Sequence, residues 1–191
     1  MARLSRGSGA WKLGKVAPGH FVPRNGVLYS GRMQTILRTV EFLCLSLWLG
    51  ADVFLSFVVA PGAFGILGSR DAAGMMVGYA LGRLHLAGIF LGLAFLVARL
   101  VRTRDFGSIT APAALCVVLM VLLTAASQFT VSTRMEQLKR EMVSVQNTPE
   151  DDPRRLEFNK LHKRSVMFEG AVLLAGLAGM FRLVRETVPK P

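Results

Sequence analysis

The sequence contains few cysteines and few acidic residues. Its two cysteines, Cys44 and Cys116, both lie inside apolar runs, so we interpret them as small buried hydrophobic residues rather than a disulfide or a metal pair. Acidic residues number 12 against 23 lysines and arginines, and none precedes Glu41. The basic residues lie in the N-terminal arm and at the ends of apolar runs. This distribution is typical of membrane topology and argues against nucleic acid as a partner.

Motifs for catalysis and cofactor binding are also missing. The chain has no CxxC or HxxxH spacing, no Gly-rich phosphate loop, no nucleophile–base pair and no dinucleotide fingerprint. We therefore predict a non-catalytic protein without a cofactor other than lipid. Haem, a chlorin or a metal ion stays open as an alternative, because two histidines and two acids occur in the apolar runs.

Long apolar runs dominate the rest of the sequence, which is 52% hydrophobic. A hydrocarbon layer about 30 Å thick is spanned by about 20 apolar helical residues. Four runs reach that length, and the first carries only Glu41 and Asp52 as charges between Arg38 and Pro61. We predict an all-α membrane protein, a four-transmembrane-helix bundle over residues 33–187, with helices at about 35–60, 70–101, 109–145 and 154–186.

The third and fourth helical patterns continue past the apolar runs as amphipathic stretches. Val131, Met135 and Leu138 recur at helical spacing, while charged residues fill the other face. Asp152 followed by Pro153 is typical of a helix N-terminus. Helices 3 and 4 are therefore predicted to extend beyond the bilayer as an antiparallel hairpin.

Residues 1–32 form a basic arm that is interrupted by Gly and Pro, so no long helix is predicted there. Trp11, Phe21 and Tyr29 are its candidate anchors on a partner or a lipid interface. Alternatively, the arm is a solvated tail that binds anionic headgroups.

The excess of basic residues on the side of the two termini predicts that both termini are inside, in a bacterial or organellar inner membrane.

The second helix carries glycines at a spacing of four residues. Small residues at this spacing allow close approach of another helix. We predict helix packing at two stripes of glycines: Gly74, Gly78, Gly82 and Gly88, Gly92.

Each predicted helix places polar groups in the outer half of the bilayer, by a rise of 1.5 Å per residue. We predict that Arg83 neutralises Asp52 and Glu169, whereas Glu41 pairs with Arg38 on the neighbouring turn. Such a layer is either structural glue or a site for a proton, a metal ion or a small solute. The predicted intramembrane network consists of Asp52, Arg83, His85, Gln128, Glu169 and His162.

Two blocks of the sequence resemble the transmembrane protein 205-like family. The first contains Leu47-Trp48-Leu49-Gly50 and continues through Pro61 to Gly74; the second is Phe158, Leu161, His162 and Ser165. The resemblance implies a four-helix integral membrane protein whose chemistry is poorly defined, with some members linked to metal-drug resistance and trafficking. It also implies Pro61 and His162 as positions to test.

Two functions are compatible with these patterns. The first is an accessory subunit of a larger membrane complex of respiratory or photosynthetic type, docking through the arm, the Gly-rich second helix and the hairpin. Its partners would be lipids and other subunits or a second copy. The alternative is a transport protein for a small solute, a proton or a metal ion that uses Asp52, Arg83 and Glu169.

Overall fold

The computed structural model describes the backbone of residues 24–188 and the side chains of residues 31–188. The predicted anchors Trp11 and Phe21, and the side chain of Tyr29, lie outside this range. Four helices in the described part of the chain are long and apolar enough to cross a membrane, which confirms the predicted all-α bundle. The chain is an integral membrane protein.

The four spanning helices alternate in direction and are joined by short connections. The first consists of α1 (Arg24–Phe54), a π-helical segment (Leu55–Val59) and α2 (Ala60–Ile66). The second is α3 (Arg70–Thr103), which a 3₁₀ turn (Phe106–Thr110) joins to the third. The third consists of α4 (Pro112–Ala126), a second π-helical segment (Ser127–Ser132) and α5 (Thr133–Met142), and the fourth is α6 (Pro153–Arg185).

The first spanning helix is longer than predicted at both ends. It begins at Arg24, within the arm where no long helix was expected, and it continues past Pro61. A proline in a helix lacks an N–H and its ring clashes with the carbonyl four residues earlier. The wider π turn over Leu55–Val59 stands just before Pro61, and such local adjustments let a membrane helix tolerate proline.

We name the two ends of the bundle by what they carry. The helix termini Thr103, Pro112 and Arg185 lie at what we call the terminal end. The helix termini Ile66, Arg70, Met142 and Pro153 lie at the opposite end, which we call the hairpin end. The first helix packs on the second, the third on the fourth, and the remaining neighbours close the ring. At the hairpin end, the Asp71 carboxylate accepts a 2.6 Å hydrogen bond from the Ser144 hydroxyl and a 3.1 Å bond from the backbone N–H of Gln146. The loop after α5 is thereby attached to the start of α3.

The predicted N-terminus of the fourth helix at Asp152 is confirmed, whereas the third helix begins at Pro112 without a side-chain cap. Ser69 accepts a hydrogen bond from the Ala72 N–H, and Asp152 accepts one from the Arg154 N–H at 2.8 Å. The Arg154 guanidinium also donates to the Asp152 carboxylate, and these hydrogen bonds lower the pKa of Asp152 to about 2. The cap therefore stays ionised through the usual titration range of an aspartate and loses its charge only in strong acid.

The glycine stripes are used differently from the prediction. A Cβ on Gly88 would lie 2.4 Å from Trp48 Nε1, and one on Gly92 would lie 2.5 Å from Val121 Cγ2. These two glycines accommodate side chains, chiefly the buried indole of Trp48, rather than a helix backbone. A Cβ on Gly78 would lie 3.2 Å from Lys139 Nζ, while one on Gly74 or Gly82 would meet nothing within 4 Å among the described residues.

The turn after α5 contains a backbone conformation that valine rarely adopts. Val143 has φ 63° and ψ −48°, and it is 91% exposed. Such a sparsely populated backbone conformation costs an L-residue roughly 1–3 kcal/mol, and glycine adopts it at an entropic cost of about 0.5–1 kcal/mol.

We expect Val143→Gly to raise the stability of the protein by about 1 kcal/mol. A melting curve in detergent would measure this change. Val145→Gly is the control: its φ is not positive, so we expect that replacement to lower the melting temperature. If both variants lowered the melting temperature equally, the backbone at Val143 would not be strained.

Candidate functional site

Four polar side chains, one from each spanning helix, lie together inside the bundle and form what we call the acid–histidine cluster: Asp52, His85, Gln128 and Glu169. His85 is the centre of the cluster. Its Nδ1 lies 2.8 Å from Gln128 Oε1, and its Nε2 lies 2.5 Å from Glu169 Oε1. An amide oxygen only accepts hydrogen bonds, so this contact fits the tautomer of His85 that carries a proton on Nδ1. In that tautomer, the hydrogen bond between His85 and Glu169 holds one further proton, either on the carboxyl group or on the imidazole.

Asp52 is the least satisfied member of the cluster. It is only 2% exposed, and its Oδ2 has no hydrogen-bond partner among the described residues. It lies near enough to His85 and Glu169 for their charges to interact. The hydroxyls of Thr124 and Ser127 are buried on the third spanning helix, and Ser127 Oγ likewise lacks a partner in the described part of the chain.

The charges of the cluster do not balance when both carboxyl groups are ionised. His85 supplies at most one positive charge against Asp52 and Glu169. An uncompensated carboxylate inside a membrane protein costs several kcal/mol. The cluster is therefore neutral only when it holds one proton beyond the imidazolium form, or the equivalent charge of a bound cation.

π-helical segments lie next to the cluster on two of the four helices. The segment Leu55–Val59 begins three residues after Asp52, and the segment Ser127–Ser132 contains Gln128 itself. A π turn rotates the following side chains relative to a regular α-helix, and such turns are frequent at functional sites. Here Gln128 points to His85 from within the π turn. Pro61 is the sequence signal for the first segment; we see no comparable signal for the second.

The structure does not place Arg83 in the cluster, which corrects the prediction that Arg83 neutralises the two acids. Its guanidinium lies over the ring of Tyr79, at 5.2 Å from the centroid, on the outside of the bundle. Residues 83 and 85 are separated by about 200° around a helix axis, so only one of them can point inward. His85 takes the inward position.

His162 also lies apart from the cluster. It is exposed, and its ring stacks on Phe158 with centroids 6.4 Å apart. Among the residues that the structure describes, no group of three or more His, Cys, Asp or Glu side chains is arranged to hold a metal ion.

A second polar group, which we call the terminal-end network, surrounds Glu41. Glu41 is fully buried, and its two carboxylate oxygens accept hydrogen bonds from Arg102 at 2.5 and 3.2 Å. Arg99 Nη1 lies 3.5 Å from Glu41, while Arg99 Nη2 donates to Glu186 at 2.8 Å. These contacts correct the predicted pairing of Glu41 with Arg38, which instead donates to the Glu186 carbonyl.

The sequence pattern did not lead to the correct partners of Glu41, although the depth of the residues along their helices indicates one of them. Counting the helical rise from the terminal end places Glu41 and Arg102 at similar heights on neighbouring helices. Glu41 therefore belongs to a compensated structural network, unlike Asp52.

Comparison with known proteins identifies one family. The family described as "Domain of unknown function (DUF4149)" matches residues 43–144, slightly more than half of the chain. This range contains Asp52, His85 and Gln128, whereas Glu169 lies beyond it. No curated protein and no solved structure matches the chain.

Proposed function

We propose that this chain, which belongs to the family described as "Domain of unknown function (DUF4149)", is a non-catalytic membrane transport protein that binds and releases a proton at its acid–histidine cluster. The observation that carries the proposal is the composition of the cluster. Glu169 contacts the only imidazole of the cluster, Asp52 is buried in the same cluster, and Arg83, at a similar height on the second helix, points away. A purely structural network is expected to be compensated permanently, as the terminal-end network is by Arg99 and Arg102.

The short contact between His85 and Glu169 also supports the proposal. The two groups are in direct hydrogen-bond contact, so a proton can pass between them. The unpartnered Oδ2 of Asp52 is a second acceptor nearby. Buried acids with a histidine are the usual components of proton relays in membranes.

Infrared difference spectra of the purified protein, recorded between about pH 5 and pH 8, test the proposal. We expect the band of a protonated carboxyl group to appear as the pH falls, and we expect Asp52→Asn or Glu169→Gln to remove or shift it. Glu157→Gln, at the exposed ion pair with Arg134, is the matched control and should leave the band unchanged.

The outcomes separate the two roles of the cluster. A band that depends on Asp52 or Glu169 supports proton exchange, and reconstituted vesicles with an entrapped pH indicator would then measure proton movement. Identical spectra of the wild type, Asp52→Asn and Glu169→Gln would overturn the proposal. The cluster would then be a purely structural hydrogen-bond network.

An accessory role in a larger membrane assembly is the second candidate. The observation that favours it is the unfilled space over Gly74 and Gly82, where a further helix could approach closely. In gentle detergent, an accessory subunit would co-purify with defined neighbours. Substitution of Gly74 and Gly82 by leucine would release them, whereas a solitary monomer would count against this candidate.

We further propose membership of the transmembrane protein 205-like family and an orientation with both termini inside a bacterial or organellar inner membrane. The first resembling block, from Leu47 to Gly74, falls within the matched range 43–144 and includes Asp52. The excess of basic residues at the terminal end supports the orientation.

A further inference from the structure

We infer that the acid–histidine cluster exchanges protons with water only at the hairpin end of the bundle, because an apolar plug seals it from the terminal end. This inference rests on the proposed proton exchange and adds the side from which the proton comes.

The apolar plug lies entirely on the terminal side of the cluster. On the first helix the plug includes Leu45 and Trp48, which precede Asp52 in the chain. On the second helix it includes Phe95, which lies beyond His85 toward the terminal end. The third helix contributes Met120 below Gln128. All of these side chains are buried, and the full set of plug residues is Cys44, Leu45, Trp48, Phe95, Ala113, Ala114, Val117, Met120, Val172, Ala175 and Leu183.

Trp48 closes this plug at its upper end. Its indole fills the space over Gly88 and Gly92, so closely that a Cβ on either glycine would lie within 3 Å of the ring. Packing of this density leaves no room for a water molecule between the second helix and the ring. This packing closes the route for water from the terminal end between the second helix and Trp48.

The distances to charged residues are unequal at the two ends. Along the fourth helix, Glu169 is about 8 Å from Arg164 but about 20 Å from Arg182. On the third helix, Gln128 is about 9 Å from Arg134 at the hairpin end. Arg164 and Arg182 are themselves about 27 Å apart, close to the about 30 Å hydrocarbon thickness. The cluster thus lies near the hairpin-end surface of the membrane.

Hydroxyl groups accompany the cluster toward the hairpin end. Ser165 lies one turn above Glu169, and Ser132 lies one turn above Gln128. Hydroxyls can donate and accept a hydrogen bond at the same time, which is what transfer of a proton to a buried site requires. The plug contains no such group.

Trp48 provides a reporter for the experiment. The chain has two tryptophans, so Trp11→Phe leaves Trp48 alone, one helical turn from Asp52. Its fluorescence is expected to change when the neighbouring cluster gains a proton. The variant is reconstituted into sealed vesicles, and an impermeant label on Glu150→Cys, at a position that is 90% exposed in the hairpin, determines which end faces outward.

A rapid change of pH is then applied to one side of the vesicles at a time. We expect an immediate change of Trp48 fluorescence when the pH falls at the hairpin end, and loss of this immediate response when the pH falls at the terminal end. In the terminal-end experiment, any signal should follow the slow leak of protons across the vesicle. Asp52→Asn in the same background should abolish the response from both sides.

The possible failures are distinguishable. A terminal-end response as fast as the hairpin-end response, or faster, would overturn one-sided access while proton exchange itself stands. Absence of any response that depends on Asp52, together with unchanged carboxyl bands, would overturn the proposed function and this inference with it.

Discussion

Glu41→Gln is expected to cost about 3–5 kcal/mol of stability, because it removes the acid from a buried ion network. Glu41 is 0% exposed, and both of its oxygens accept hydrogen bonds from Arg102, with Arg99 3.5 Å away. Glutamine keeps the shape of the side chain but leaves two guanidinium groups with one acid, Glu186, between them. A buried charge that loses its partner costs more than the intact pair contributed.

Equilibrium unfolding in mixed micelles, or the melting temperature in detergent, would measure this loss. Glu186→Gln is the internal comparison. Among the described residues its carboxylate pairs with Arg99 alone, and its side chain is 27% exposed, so the loss should be smaller. Glu157→Gln in the exposed hairpin should leave the melting temperature nearly unchanged. Equal stabilities of Glu41→Gln and Glu157→Gln would show that Glu41 does not hold the network together.

Gly88→Ala is expected to destabilise the bundle by about 1–3 kcal/mol through overpacking. The added methyl group would lie 2.4 Å from Nε1 and 2.5 Å from Cε2 of Trp48. The indole is almost completely buried, so it cannot move aside without displacing the rest of the plug. The same displacement should disturb His85, which lies one turn away on the same face of α3.

Gly82→Ala is the matched control, since a Cβ at this position meets nothing within 4 Å in the described part of the chain. Alanine is a better helix former than glycine by up to about 1 kcal/mol, so Gly82→Ala should preserve or raise the stability. A smaller residue at the partner position, as in Gly88→Ala with Trp48→Phe, should recover part of the loss. If Gly82→Ala and Gly88→Ala melted alike, the plug around Trp48 would not be tightly packed.

The sequence was sufficient to predict the four spanning helices and the hairpin. The apolar runs have the length that a bilayer demands, and the amphipathic pattern from Val131 onward persists outside it. Polar residues such as Asp52 and Glu169 could be placed in depth, because each helical residue advances the chain by 1.5 Å. Both appear in the cluster at one level of the bundle.

The rotation of each helix, and therefore the choice of partners, was not predictable in the same way. Arg83 and His85 have nearly the same depth but opposite directions, and the stronger base was wrongly chosen as the partner of the acids. The glycines could have indicated the direction, since Gly88 and Gly92 share a helix face with His85. The same limit applies to Glu41. Its predicted partner was Arg38, which is near it in the sequence, whereas its partner in the structure is Arg102 on another helix.

For this protein, the sequence alone determined the class of fold, the ends of most helices and the height of each buried charge, because these follow from apolar run length and helical rise. Tertiary structure alone decided that His85 rather than Arg83 meets Glu169, and that Trp48 fills the space over Gly88. Such contacts depend on how four helices rotate to pack one another's side chains, which is a property of all four sequences together.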